Sequence, residues 1–216
     1  MTEVKTKHLV HYIPTIENKK WVTRNTKNHG GLHRQEEFRK GIKMLEHCAH
    51  HFRNPRLFHL CFTGADLDTY QLVMQRFCRV LTAEKVDYRY KAVRELDSEK
   101  GLHFHVMIVL GAGNRQTHRF ITSSNEDGKV ENVSALRKAV IHTWNECQAL
   151  KYRVNPPRSM SGKTSFLQFN QSNMEMFHEA AEWLSYIYKS RSKPESGMIY
   201  FSGRPSRKAT TGKTYT

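Results

Sequence analysis

The run Gly101-Leu102-His103-Phe104-His105-Val106-Met107-Ile108-Val109-Leu110 sets two imidazoles at the head of an otherwise wholly apolar stretch. Alternate residues of a β-strand share a face, so His103 and His105 point one way and Phe104, Val106 and Ile108 the other. Two imidazoles at this spacing can hold one divalent cation. With 13 histidines in the chain an H-x-H is unsurprising on its own. The context argues for use, because two imidazoles in a buried strand are penalised by desolvation unless something engages them. If Asp87 to Glu95 forms a strand that pairs antiparallel with His103 to Leu110 through the turn Asp97-Ser98-Glu99-Lys100-Gly101, Glu95 lies opposite His103 on the histidine face. It is then the candidate third ligand. Asp97 and Glu99 are rivals, but both sit in the turn, where solvent suits them better. Two histidines and a carboxylate with open positions suit Mg²⁺ or Mn²⁺ holding a phosphate oxygen, and suit an all-histidine or cysteine-containing zinc site less.

A second group lies in Glu182-Trp183-Leu184-Ser185-Tyr186-Ile187-Tyr188-Lys189. At about 100° per residue, Phe177, Ala181, Leu184 and Tyr188 line one apolar stripe of a helix. Tyr186 falls nearly opposite that stripe, and Lys189 lies one turn on, on a neighbouring face. Tyr188 therefore belongs to the core and Tyr186 is the candidate reacting group. Taken alone, the segment reads as a helix with two packing tyrosines. Beside a metal it reads differently: a phenolate attacking a phosphodiester gives a covalent phosphotyrosine that conserves the energy of the broken bond. The metal polarises the scissile phosphate, and the lysine favours the phenolate or holds the phosphate.

The elements that must position these groups are legible in outline. Glu36 to Phe52 reads as a helix rich in Lys, Glu, Leu and Met, and Leu57 to Thr63 as a strand ended by Gly64. Asp66 or Asp68 caps a further helix, in which Tyr70, Val73, Met74, Phe77 and Leu81 recur at helical spacing. Asp87 to Glu95 has strand character, with Tyr88, Tyr90 and Ala92 on the face opposite Asp87, Arg89 and Lys91. Val133 to Leu150 and Met174 to Ser190 read as helices, with a short strand between them. The order predicts an α+β fold whose mainly antiparallel sheet is flanked by helices. There is no GxxxxGK[ST] or GxGxxG loop, which excludes the usual phosphate-binding nucleotide folds.

The charge points to a polyanion. The 216-residue chain carries a net charge of +15, unevenly placed: residues 1–56 hold a net +7, 57–185 a net +2 and 186–216 a net +6. Basic ends keep a protein soluble; they also neutralise phosphates, which is the reading preferred here. Residues 1–33 form a basic N-terminal extension with a break at Asn28-His29-Gly30-Gly31, 34–201 the folded domain, and 202–216 a basic tail expected to be flexible. No apolar run approaches the roughly 20 residues needed to cross a bilayer, and MTEVKTKHLVHY lacks the apolar core of a secretory signal. The widely spaced Cys48, Cys61, Cys78 and Cys147 read as small core residues in a reducing compartment.

Together these residues resemble the HUH endonucleases, and more narrowly the rolling-circle replication initiators of filamentous (inovirus-type) phages and related plasmids or prophages. Arg94-Glu95 and Gly101-Leu102-His103-Phe104-His105 are similar to that family's metal motif, and Ser185-Tyr186-Ile187-Tyr188-Lys189 to its tyrosine motif. Phe201-Ser202-Gly203-Arg204 is loosely similar to its basic ending, and Trp144 is in keeping. The resemblance spans roughly Phe38 to Arg207, with only the two motifs specific. It implies a palm-like sheet resembling the RNA-recognition fold, with His103, His105 and Glu95 around Mg²⁺ or Mn²⁺. Tyr186, helped by Lys189, would nick single-stranded origin DNA, keep the 5′ phosphate and release a 3′ hydroxyl. Histidines that precede the tyrosine match replication initiators, whereas conjugative relaxases place the tyrosine first. A two-tyrosine mechanism would need Tyr188. Arg191, Lys193 and Arg204 are candidate DNA contacts. With no room for a helicase domain, a host helicase and polymerase are the expected partners, in the cytoplasm of a bacterial host. The principal rival is a basic, non-catalytic module binding single strands by stacking on exposed aromatics. A metal-dependent hydrolase that needs no tyrosine ranks below it.

Overall fold

The structure is a computed structural model. It describes residues 35–112, 116–121, 134–143, 150–157, 165–170, 172–189 and 199–203, together with the backbone of four short strands between 10 and 25. Those strands, β1 (Val10–Tyr12), β2 (Thr15–Ile16), β3 (Lys19–Lys20) and β4 (Thr23–Asn25), pair antiparallel as β1 with β4 and β2 with β3. The N-terminal extension therefore contains strand pairs that periodicity did not signal. Its β4 backbone runs beside the helix Met174–Ser185 and the turn Tyr186–Tyr188 that follows it.

The rest is α+β. Helix α1 (Gln35–His51) leads to strand β5 (Pro55–Thr63), and helix α2 (Leu67–Ala83) follows, its first turn held by the Asp66 carboxylate accepting from the Thr69 N–H. Strands β6 (Tyr88–Asp97) and β7 (Gly101–Gly111) form a hairpin. Helix α3 (Ala135–His142), strands β8 (Lys151–Asn155) and β9 (Leu167–Gln168), helix α4 (Met174–Ser185) and strand β10 (Tyr200–Gly203) complete it. The sheet runs β10-β6-β7-β5-β8, with β9 also on the free side of β5, and every pairing is antiparallel. Since β5 and β6 both oppose β7, they run parallel to each other, joined by α2: a split β-α-β unit.

Strand parity sorts the core in two. Phe58, Leu60, Phe62, Ala92, Phe104, Val106, Ile108 and Leu110 pack with Tyr70, Val73, Phe77 and Leu81 of α2 and with α3. Leu57, Val93, Met107 and Val109 pack on the other face with Phe38, Ile42 and Leu45 of α1 and Phe177, Ala181 and Leu184 of α4. Both faces of the central strands are dry, which explains why β7 is apolar almost throughout.

Three boundaries depart from the sequence reading. The helix expected over Val133 to Leu150 is α3, which ends at His142, where the Thr143 hydroxyl turns back onto the Ala139 and Val140 carbonyls. Residues 144–149, Trp144 and Cys147 among them, lie outside the described residues. The helix expected to reach Ser190 ends at Ser185, and Tyr186–Tyr188 is a 3₁₀ turn. The domain edge drawn at 201 falls inside β10, whose Ser202 and Gly203 pair with Lys91 and Tyr90 of β6. Cys48 and Cys61 are buried as expected.

Gly41 explains how closely α1 meets the tyrosine turn. Mid-helix glycine is about 1 kcal/mol worse than alanine, yet a Cβ at this position would lie 2.6 Å from the Tyr188 hydroxyl and 3.0 Å from Leu184 Cδ2. Tyr188 is fully buried, edge-on to Phe38 and stacked on Tyr200. Overpacking of about 1–3 kcal/mol outweighs the helical gain, so Gly41→Ala is expected to lower stability in urea unfolding. Adding Tyr188→Phe, which removes the nearest atom, should recover most of the loss.

Candidate metal and tyrosine centre

The hairpin turn sets the register of the site. Gly101 has φ +65°, a left-handed conformation that suits glycine. The Asp97 carboxylate accepts from the N–H groups of Glu99 and Lys100 across the turn. Closing the loop at Asp97 opposite Gly101 puts Glu95 opposite His103 two rungs down. Glu95 therefore shares the face of His103 and His105, as its parity requires. Asp97 is occupied in bracing the turn and Glu99 is exposed, so neither rival joins the cluster.

Glu95 is 1% exposed, and His103 and His105 4% each. One ligand atom from each of the three lies within 4.8 Å of the others, the only such grouping among the described residues. His103 Nε2 is 3.5 Å and His105 Nε2 3.7 Å from Glu95 Oε2. His103 Nδ1 is 3.0 Å from the Gly101 carbonyl, to which it donates, leaving Nε2 for a cation. The donor set fits one divalent ion: two imidazole nitrogens and one carboxylate oxygen, buried and preformed.

The tyrosine segment closes over this cluster. Lys189, 6% exposed, places Nζ 3.5 Å from Glu95 Oε2 and 3.9 Å from the centre of the Tyr186 ring. The Tyr186 ring, half-buried, stands 5.2 Å from His105, centre to centre, and nearly perpendicular to it. Tyr186 and Lys189 thus join Glu95, His103 and His105 in one place. Tyr188 does not: its hydroxyl has no hydrogen-bond partner among the described residues, and burial pushes its phenol well above the ordinary tyrosine range. Arg191, Lys193 and Arg204 lie outside the described residues.

Sequence reasoning missed His59. It is 4% exposed on β5, with Nε2 3.0 Å from His105 Nδ1, and its ring lies 5.3 Å from that of Tyr186 and 6.1 Å from that of Trp183. The desolvation logic applied to His103 and His105 would have found it, since His59 interrupts the apolar strand Leu57-Phe58-His59-Leu60. No family model, curated protein or solved structure matches this chain.

Hydrogen bonding to Glu95 raises His103 above its ordinary 6.5, with the Gly101 carbonyl helping and burial opposing. A histidine raised on folding contributes stability that is complete below 6.5 and lost as pH rises through the folded value. In chelator, the melting-temperature advantage of the wild type over His103→Gln should therefore shrink as pH rises from 6 to 8. With Mn²⁺ present the trend should reverse, because protons and metal compete for His103 Nε2.

Proposed function

We propose that this protein is a metal-dependent, tyrosine-using DNA nickase and strand transferase of the HUH type, acting as a rolling-circle replication initiator. The observation that carries this reading is the meeting of two motifs some 80 residues apart, with Lys189 Nζ between the Glu95 carboxylate and the Tyr186 ring. A purely structural carboxylate–histidine cluster has no need of a half-buried tyrosine on its rim. The split β-α-β sheet supports a palm-like fold of the RNA-recognition kind, and the net charge of +15 supports a nucleic-acid substrate.

On this reading His103, His105 and Glu95 hold Mg²⁺ or Mn²⁺, whose chemical contribution is to polarise the scissile phosphate. Tyr186 Oη forms a bond to phosphorus as the P–O3′ bond breaks. The phenol proton leaves to water, and the 3′ oxygen gains a proton from water. Lys189 supplies positive charge beside the attacking ring, where negative charge gathers on the phosphoryl oxygens. The enzyme keeps the 5′ phosphate as a phosphotyrosine, and attack by a 3′ hydroxyl reverses the step and rejoins strands. The substrate is single-stranded origin DNA; the partners are a host polymerase that extends the 3′ end and a host helicase, in a bacterial cytoplasm. Among the described residues no helix is long and apolar enough to cross a membrane.

The test is a denaturing-gel shift with single-stranded phage or plasmid origin DNA and Mn²⁺. A covalent adduct is expected for the wild type and for Tyr188→Phe, and none for Tyr186→Phe or after chelation. His103→Ala and His105→Ala should abolish cleavage while leaving non-specific DNA binding largely intact, because phosphate contacts supply that affinity. Equal loss of binding would make the histidines structural. Absence of any adduct with the native origin would favour the non-catalytic single-strand-binding module.

A further inference from the structure

We infer that His59 and Asn155 are positioning residues for the metal centre, holding His105 in the one tautomer that can bind a cation. The inference rests on Glu95, His103 and His105 forming a metal site.

For His105 Nε2 to offer a lone pair toward the Glu95 side, its proton must sit on Nδ1. That Nδ1 lies 3.0 Å from His59 Nε2, in a buried pair with ring centres 5.0 Å apart. The opposite arrangement, with His59 donating to Nδ1, would place the His105 proton on Nε2 and block the ligand. His59 must therefore accept at Nε2 and carry its own proton on Nδ1. Its Nδ1 in turn lies 3.5 Å from the side-chain amide nitrogen of Asn155. A half-turn of that amide exchanges its nitrogen and oxygen, and the inferred row has this orientation, in which Asn155 Oδ1 accepts the His59 Nδ1 proton; an apolar residue there would leave the tautomer unspecified.

Strand order builds this row. Asn155 on β8 lies directly opposite His59 on β5, and on the other side His59 lies opposite Met107, one alternate position from His105 on β7. Glu95 on β6 lies opposite His103. A polar row thus crosses four adjacent strands on one face: Asn155, His59, His105 with His103, and Glu95. Lateral hydrogen bonds of this sort fix ring orientation and raise the basicity of a ligating nitrogen, and losing one typically weakens metal binding about 10- to 100-fold. His59 also lies against the Tyr186 ring, so the group that orients the ligand bounds the tyrosine as well.

The test uses the full chain without DNA, titrated with Mn²⁺ by calorimetry and by electron paramagnetic resonance, after circular dichroism and melting in chelator confirm folding. His59→Leu should bind Mn²⁺ about 10- to 100-fold more weakly. His59→Gln, whose amide oxygen can accept the His105 Nδ1 proton, should recover most of the affinity, a rescue that a merely space-filling role would not show. Asn155→Leu should weaken binding by less than His59→Leu, and Asn155→Asp should hold or tighten it. Because Asn155 sits half-buried on an outer strand, its variants keep the inference testable should His59→Leu fail to fold. Wild-type binding with unchanged affinity in folded His59→Leu and Asn155→Leu would overturn this inference and leave the metal site standing. No Mn²⁺ binding by the wild type would overturn the metal site and this inference together.

Discussion

A carboxylate that is 1% exposed has to be met by positive or proton-bearing groups, and Glu95 governs how this domain is put together around it. Three nitrogens converge on its Oε2: His103 Nε2 and His105 Nε2 from the neighbouring strand, and Lys189 Nζ from the segment after α4. A buried ion pair of this kind does little for net stability, since desolvation offsets most of the attraction. It is nonetheless demanding, because removing one partner strands the others in a dry core. Its effect is to fix where the Tyr186 segment lies relative to β6 and β7.

That placement is backed by packing. The central strands carry apolar side chains into two separate cores, one under α2 and α3 and one under α1 and α4. Strands clamped on both faces have little freedom to twist or slip, so the imidazoles are presented from a stiff support. On the tyrosine side, the close approach of Gly41 to Tyr188 lets α1 press the 3₁₀ turn inward. Tyr188 is thereby held fully buried, while Tyr186, two residues earlier, stays half-buried at the rim.

The polar row across the sheet gives this centre a direction. At one end Asn155 sits half-buried on an outer strand; at the other Glu95 and Lys189 are almost wholly enclosed. Each link between them is a side-chain hydrogen bond or an ion-pair distance, and each histidine is constrained at both ring nitrogens. A site whose donors are oriented before any ligand arrives loses little entropy on binding one.

Much of this was legible in the residues alone. Strand parity placed His103 and His105 on one face, the length of the Asp97–Gly101 turn placed Glu95 opposite His103, and helical periodicity sent Tyr188 inward and left Tyr186 at the rim. These are local properties: they follow from the repeat of a strand or helix and the number of residues in a turn. The end of α3 at His142, the 3₁₀ turn at Tyr186 and the pairing of β10 with β6 were not legible, because they depend on what each segment meets. Tertiary structure alone decided that Lys189 reaches Glu95 and that His59 and Asn155 stand in line with His105. Periodicity tells which face a side chain takes, but only strand order tells which distant residue shares it. The pairing of β8 and β7 on either side of β5 joins residues 46 and 96 positions apart, a choice no local spacing encodes.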